Sequence, residues 1–88
     1  MVFADRVTYL KEYIRGRDES QTQHAVEVTL DHIKQDARFI QLNCGVDLSS
    51  EISRIENLRD GGNFKYGHVV NEVEGIETAV RDRLGGCR

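Results

Sequence analysis

The sequence has no proline, only two cysteines and one methionine, and its aromatic residues make up 7% of the chain, against eight glycines. Without proline nothing forces a break inside a long periodic segment, so the punctuation must come from glycine. Cys44 and Cys87 stand outside any paired-cysteine motif, and neither a zinc site nor a disulfide framework is indicated. Cys44 reads as a small core residue and Cys87 as a tail thiol. Long apolar runs are also missing. The longest uncharged stretch, Phe39 to Val46, is far short of the roughly 20 apolar residues of a membrane span. The opening residues, Met1 to Arg6, lack the basic and apolar regions of a secretory signal, so the expected location is the cytoplasm. An excess of positive charge is lacking as well: 12 Lys and Arg stand against 15 Asp and Glu, a net charge of -3. A binder of nucleic-acid phosphates usually carries a basic stripe and a high isoelectric point, so nucleic acid is not an expected partner.

What is present suits one small domain spanning residues 1–88. The hydrophobic fraction of 39% and charged fraction of 31% allow a thin core inside a well-solvated surface. Glycine divides the chain into four segments, each with an apolar stripe at spacings of three and four. Phe3, Val7, Leu10 and Ile14 line the first, which stops at Gly16. The second opens with Ser20 and Gln23 in the spacing of a capping box, runs through Val26, Leu30, Ile33, Ala37, Ile40 and Cys44, and closes at Gly45. The third takes Asp47 or Ser49 as its N-cap, places Leu48, Ile52, Ile55 and Leu58 inward, and ends at Asp60-Gly61-Gly62; it is expected to be the shortest. The fourth carries Tyr66, Val69, Val70, Val73, Ile76, Val80 and Leu84 and stops at Gly85-Gly86. Residues 24–32 also alternate with a period of two, as a strand would, but the helical register continues unbroken to Cys44 and is preferred. Gly67 and Gly75 each cost a helix about 1 kcal/mol relative to alanine, which favours a late start or a bend in the fourth. The expected fold is all-α, an antiparallel four-helix bundle with short glycine-containing loops.

Chemistry is sparse. His24, Glu27, Asp31, His32 and Asp36 hold the one concentration of metal-ligand residue types, and at 100° per residue His24, Glu27 and Asp31 share a helical face. That face lies opposite the apolar stripe, so it reads as a solvated surface rather than a metal site. Bundle metal centres use inward Glu-x-x-His pairs from several helices, and no second segment supplies one. No nucleophile motif surrounds Cys44, Ser49 or Ser50. The glycine pairs neither follow a strand nor precede Lys-Ser/Thr, so they are stops rather than phosphate cradles. The expectation is a protein without catalytic residues, metal or cofactor.

Charge carries more information. Both ends of the chain balance, whereas residues 46–63 hold Asp47, Glu51, Glu56 and Asp60 against Arg54 and Arg59. Glu72, Glu74 and Glu77 form a second acidic run. An antiparallel bundle brings the third and fourth helices side by side, and one negative surface on them would suit a basic partner.

The stretch Leu42-Asn-Cys-Gly45, then Asp47-Leu48, then Arg54-Ile55-Glu56, resembles the middle of the colicin D-type immunity proteins, which are acidic four-helix bundles of almost this length. Tyr13-Ile-Arg-Gly16 is similar to their first helix and turn, and Val80-Arg81 with Leu84 to their final helix. Around Gly61 to Glu74 the chain departs from that pattern and is a few residues longer. The resemblance implies an inhibitor whose carboxylates fill the basic cleft of a tRNA-cleaving toxin domain. Glu56 falls on a family position of acidic character and Asp60 near a second, while Ser53 stands where the family has another carboxylate.

The sequence therefore leads to a small acidic inhibitory binding protein with a basic nuclease toxin domain as partner. Glu51, Glu56, Asp60 and Glu72 are the expected contact residues. The alternative is a self-associating helical scaffold without catalytic activity, in which narrow apolar stripes bury against a second copy to form a homodimer.

Overall fold

The computed structural model describes residues 2–84. It contains four helices, α1 (Val2–Ile14), α2 (Glu19–Cys44), α3 (Ser49–Gly61) and α4 (Tyr66–Leu84), arranged as the antiparallel bundle that the stripes predict. Arg6 reaches Asp36, Arg38 reaches Glu56, Lys11 reaches Glu74 and Arg83 reaches Glu51, and these pairs set each neighbour running against the next. α2 and α4 touch across the diagonal, whereas α1 and α3 lie on opposite sides of them and do not meet.

Each stripe supplies its part of one core. Phe3, Leu10, Ile14, Val26, Leu30, Ile33, Leu48, Ile55, Val69, Val73 and Ile76 are all essentially inaccessible, and each aliphatic side chain so buried contributes about 1.5–3 kcal/mol. Ile40, Cys44, Val46 and Val70 pack at the margin. Tyr66 is 37% exposed and is not a core residue.

The connections 15–18, 45–48 and 62–65 each turn on one glycine with positive φ, Gly16 (74°), Gly45 (66°) and Gly62 (68°). In that left-handed conformation a Cβ is strained, which is why glycine ends a helix there. The stop expected at Gly85-Gly86 lies outside the described residues.

Three details correct the sequence reading. The capping box of α2 uses Asp18 and Gln21 rather than Ser20 and Gln23: Asp18 Oδ1 accepts from the Gln21 backbone N–H at 3.0 Å, and the Asp18 N–H donates to Gln21 Oε1 at 3.2 Å. Ser20 instead donates its hydroxyl to Asp18. At α3 the capping position is Leu48, which is buried, while Asp47 Oδ1 accepts the Ser49 N–H from one residue outside. α3 is shortest only jointly, since α1 also has 13 residues.

Phe64, in the loop between α3 and α4, is buried although it belongs to no stripe. The Lys65 carbonyl accepts the Val69 N–H at 3.0 Å, so Lys65 stands at the cap and Phe64 and Val69 occupy the two positions of a hydrophobic staple. The staple fixes the entry of α4, which begins at Tyr66 with Gly67 already inside it.

Candidate functional site

The carboxylates expected on one negative surface are placed differently by the packing of α3 and α4. Glu51 does not lie on that surface. It is 3% exposed and its Oε1 sits 3.2 Å from Arg83 Nε, paired in charge but not aligned as a hydrogen bond. Glu56 turns toward α2 and lies 3.6 Å from Arg38, whereas Glu72 turns toward α3 and lies 3.7 Å from Arg54. Asp60 alone is mostly free to solvent, its side chain 73% exposed and 3.7 Å from Arg59. Arginines thus interleave the acids on both helices, and only Glu56 and Asp60, one helical turn apart, share a face. The Glu74 and Glu77 carboxylates are likewise engaged, by Lys11 and Arg81.

The polar cluster of α2 is dispersed in a similar way. Arg6 Nε bonds Asp36 Oδ2 at 2.5 Å, Arg6 Nη1 lies 3.4 Å from His32 Nδ1, and Asp31 Oδ1 lies 2.9 Å from Arg59 Nε. Among the described residues no group of three or more His, Cys, Asp or Glu converges as a metal site would require. No described helix is long and apolar enough to cross a membrane. Cys44 is disulfide-bonded rather than the simple apolar side chain expected, and Cys87 lies outside the described residues.

Two carboxyl groups are held below their usual range by their roles in turns. The Ser20 hydroxyl and then the Gln21 N–H lower the pKa of Asp18, and the Ser49 backbone N–H and side chain lower that of Asp47. Arg15, hydrogen-bonded to Tyr66, is held above the usual arginine value. Each is a local effect at the surface.

A feature that the stripes did not single out is the side of α2 turned away from the core. At 100° per residue Val28, His32, Gln35, Phe39 and Leu42 fall within an arc of about 80°, opposite Val26, Leu30, Ile33 and Ala37. No Asp, Glu, Lys or Arg lies in this arc, in a chain that is 31% charged. Phe39 is 67% and Leu42 84% exposed. Beside His32 the surface falls into an open groove of about 350 Å³ between α1 and α2, lined by Asp5, Arg6, Tyr9, Thr29 and His32. Tyr9, itself 59% exposed, stacks on Tyr13 with ring centroids 6.1 Å apart, and the Arg17 guanidinium caps Tyr13 at 4.5 Å. The available signal was the recurrence of Val28, Gln35 and Leu42 at a spacing of seven, a second seam on a helix that already had one.

No family model matches the chain, and neither a curated protein nor a solved structure is significantly similar to it.

Proposed function

We propose that the protein is a non-catalytic helical interaction module that works by self-association, with the outward face of α2 as its contact surface. The observation that carries this reading is the pairing of Phe39 and Leu42, large, apolar, exposed and one turn apart, on a face without charge. Scattered apolar residues are ordinary on a surface, but two large ones exposed side by side on an uncharged face of a long helix suit a docking surface. Sedimentation velocity across the micromolar range should show a monomer–dimer equilibrium. A single monomeric species throughout would overturn the reading.

A second reading, inhibition of a basic partner such as a nuclease toxin domain, is supported by the exposure of Asp60 beside Glu56. It uses Glu56, Asp60 and Glu72 without Glu51, whose carboxylate is buried. Glu56→Lys with Asp60→Lys should abolish capture of a basic nuclease domain encoded by an adjacent reading frame while leaving helicity unchanged. Equal binding by this double variant would rule the acidic contact out.

A further inference from the structure

We infer that the occupant of the α2 face is a second copy of this chain, packed antiparallel so that Phe39 of each copy seats in the α1–α2 groove of the other. The inference rests on the self-association reading above and adds the arrangement.

The first argument is register. A two-fold axis passing beside Gln35 places Gln35 against itself, Leu42 against Val28 of the second copy, and Phe39 level with Asp31 and His32 of the second copy. His32 forms one wall of the groove. A knob and a recess therefore sit on the same helix at nearly equal distances from one point, which is what an isologous contact requires. The groove, at about 350 Å³, has room for a phenyl ring, since a cavity of about 150 Å³ accepts benzene. Its walls suit one: the Tyr9 ring offers an aromatic surface, and the Arg6 guanidinium, held in place by Asp36, offers a cation for the ring face.

The second argument is charge. Asp31 and Arg38 lie on the same flank of α2, about 20° apart in projection, on opposite sides of Gln35. The antiparallel two-fold brings Asp31 of one copy toward Arg38 of the other, twice. Their side chains keep 38% and 57% of their surface exposed beside their partners within the chain, so both remain available. A parallel pair would set the Asp31 and Arg38 flanks of the two copies on opposite sides of the seam, where no such pairing forms, and would leave the groove empty. Opposite charges across a contact fix its register more than its strength.

The third argument is area. Phe39, Leu42 and Tyr9 present on the order of 400 Å² in one copy, given that aromatic side chains bury about 150–250 Å² each. Two copies then supply about 800 Å², and the polar flanks of a helix about 39 Å long bring the total toward the lower bound of about 1,200 Å² for stable interfaces.

The test uses the full chain. Sedimentation should give a dimer that Phe39→Asp weakens about tenfold or more, with Tyr9→Ala acting in the same direction from the groove side and Glu12→Ala without effect. Both Phe39 and Tyr9 are exposed, so the helical circular dichroism should not change. A nitroxide at Gln21, introduced on a non-cysteine side chain, should report a separation of about 40 Å between copies, since Gln21 lies 14 residues from the axis at 1.5 Å each. A wild-type monomer would overturn both the self-association reading and the arrangement. A dimer indifferent to Phe39→Asp, or one with a Gln21 separation near 10 Å as in a parallel pair, would overturn the arrangement and leave self-association standing.

Discussion

Arg83, in the last turn of α4, closes over Glu51 in the first turn of α3, with an ion-pair distance of 3.2 Å between Nε and Oε1 and a hydrogen bond from Arg83 Nη1 to the Asp47 carbonyl at 2.9 Å. One guanidinium thereby ties the end of the chain's last helix to the α2–α3 connection. The carboxylate is buried and the arginine half-exposed, so removing each partner has a different consequence. Arg83→Ala leaves a buried charge without compensation and should cost about 1–2 kcal/mol, the partial exposure of Arg83 tempering the larger penalty of a fully buried pair. Glu51→Met replaces the charge with apolar volume and should cost less than that or nothing. Urea denaturation of the two variants measures the difference, and the opposite order would show that the pair itself holds α3 to α4.

Gly75 sits inside α4, where the Arg54 guanidinium crosses it on the way to Glu72. A Cβ at Gly75 would lie 2.9 Å from Arg54 Nη2, the mobile end of a long side chain. Gly75→Ala should raise stability by about 0.5–1 kcal/mol, because the helix gains about 1 kcal/mol in propensity and the exposed ion pair it disturbs contributes little. The same urea titration checks this, and a loss of stability would mean that Arg54 cannot move aside.

Phe64 should behave as a core residue despite its place in a loop. Phe64→Ala is expected to cost about 3–5 kcal/mol, comparable with Leu30→Ala at about 2–5 kcal/mol from the middle of α2. Thermal unfolding followed at 222 nm would separate this from the effect of an ordinary loop substitution, which stays within about 0.5 kcal/mol.

Acid should weaken the helix caps. The pKa of Asp18 and that of Asp47 are lowered in the folded state, so the stabilisation they provide is fully present above the ordinary carboxylate pKa of about 4 and is lost as pH falls through their folded values. Asp18→Ala should lower the melting temperature at pH 7, and the gap to wild type should close at a pH below both values. A gap that persists in acid would assign the effect to helix propensity rather than to the charged cap.

The helices themselves were legible because local rules dominate them. Apolar residues at spacings of three and four, with glycine at the stops of α1, α2 and α3, describe the helices to within a residue or two, since amphipathic periodicity and the left-handed glycine are properties of the chain alone. The α2 cap was displaced by two residues because Asp18 and Ser20 both satisfy the sequence pattern for a cap, and only the backbone geometry chooses between them. Phe64 was missed because a staple is a single residue with no period. The bond at Cys44 was missed because an apolar stripe assigns a cysteine the place of a small core residue and carries no sign of its oxidation state.

The candidate surface depended on tertiary structure. By itself the sequence determined an all-helical chain, its four segments, the composition of its core and its net acidity, all of which follow from residue type and spacing. Packing decided which acids face solvent. It buried Glu51, set arginines from neighbouring helices beside Glu56 and Glu72, and left Asp60 open, because a charge's surroundings depend on residues distant in sequence. Packing also decided that the second seam of α2 stays uncovered: α1, α3 and α4 all gather on the side of Val26, Leu30, Ile33 and Ala37, and none extends over Phe39 and Leu42.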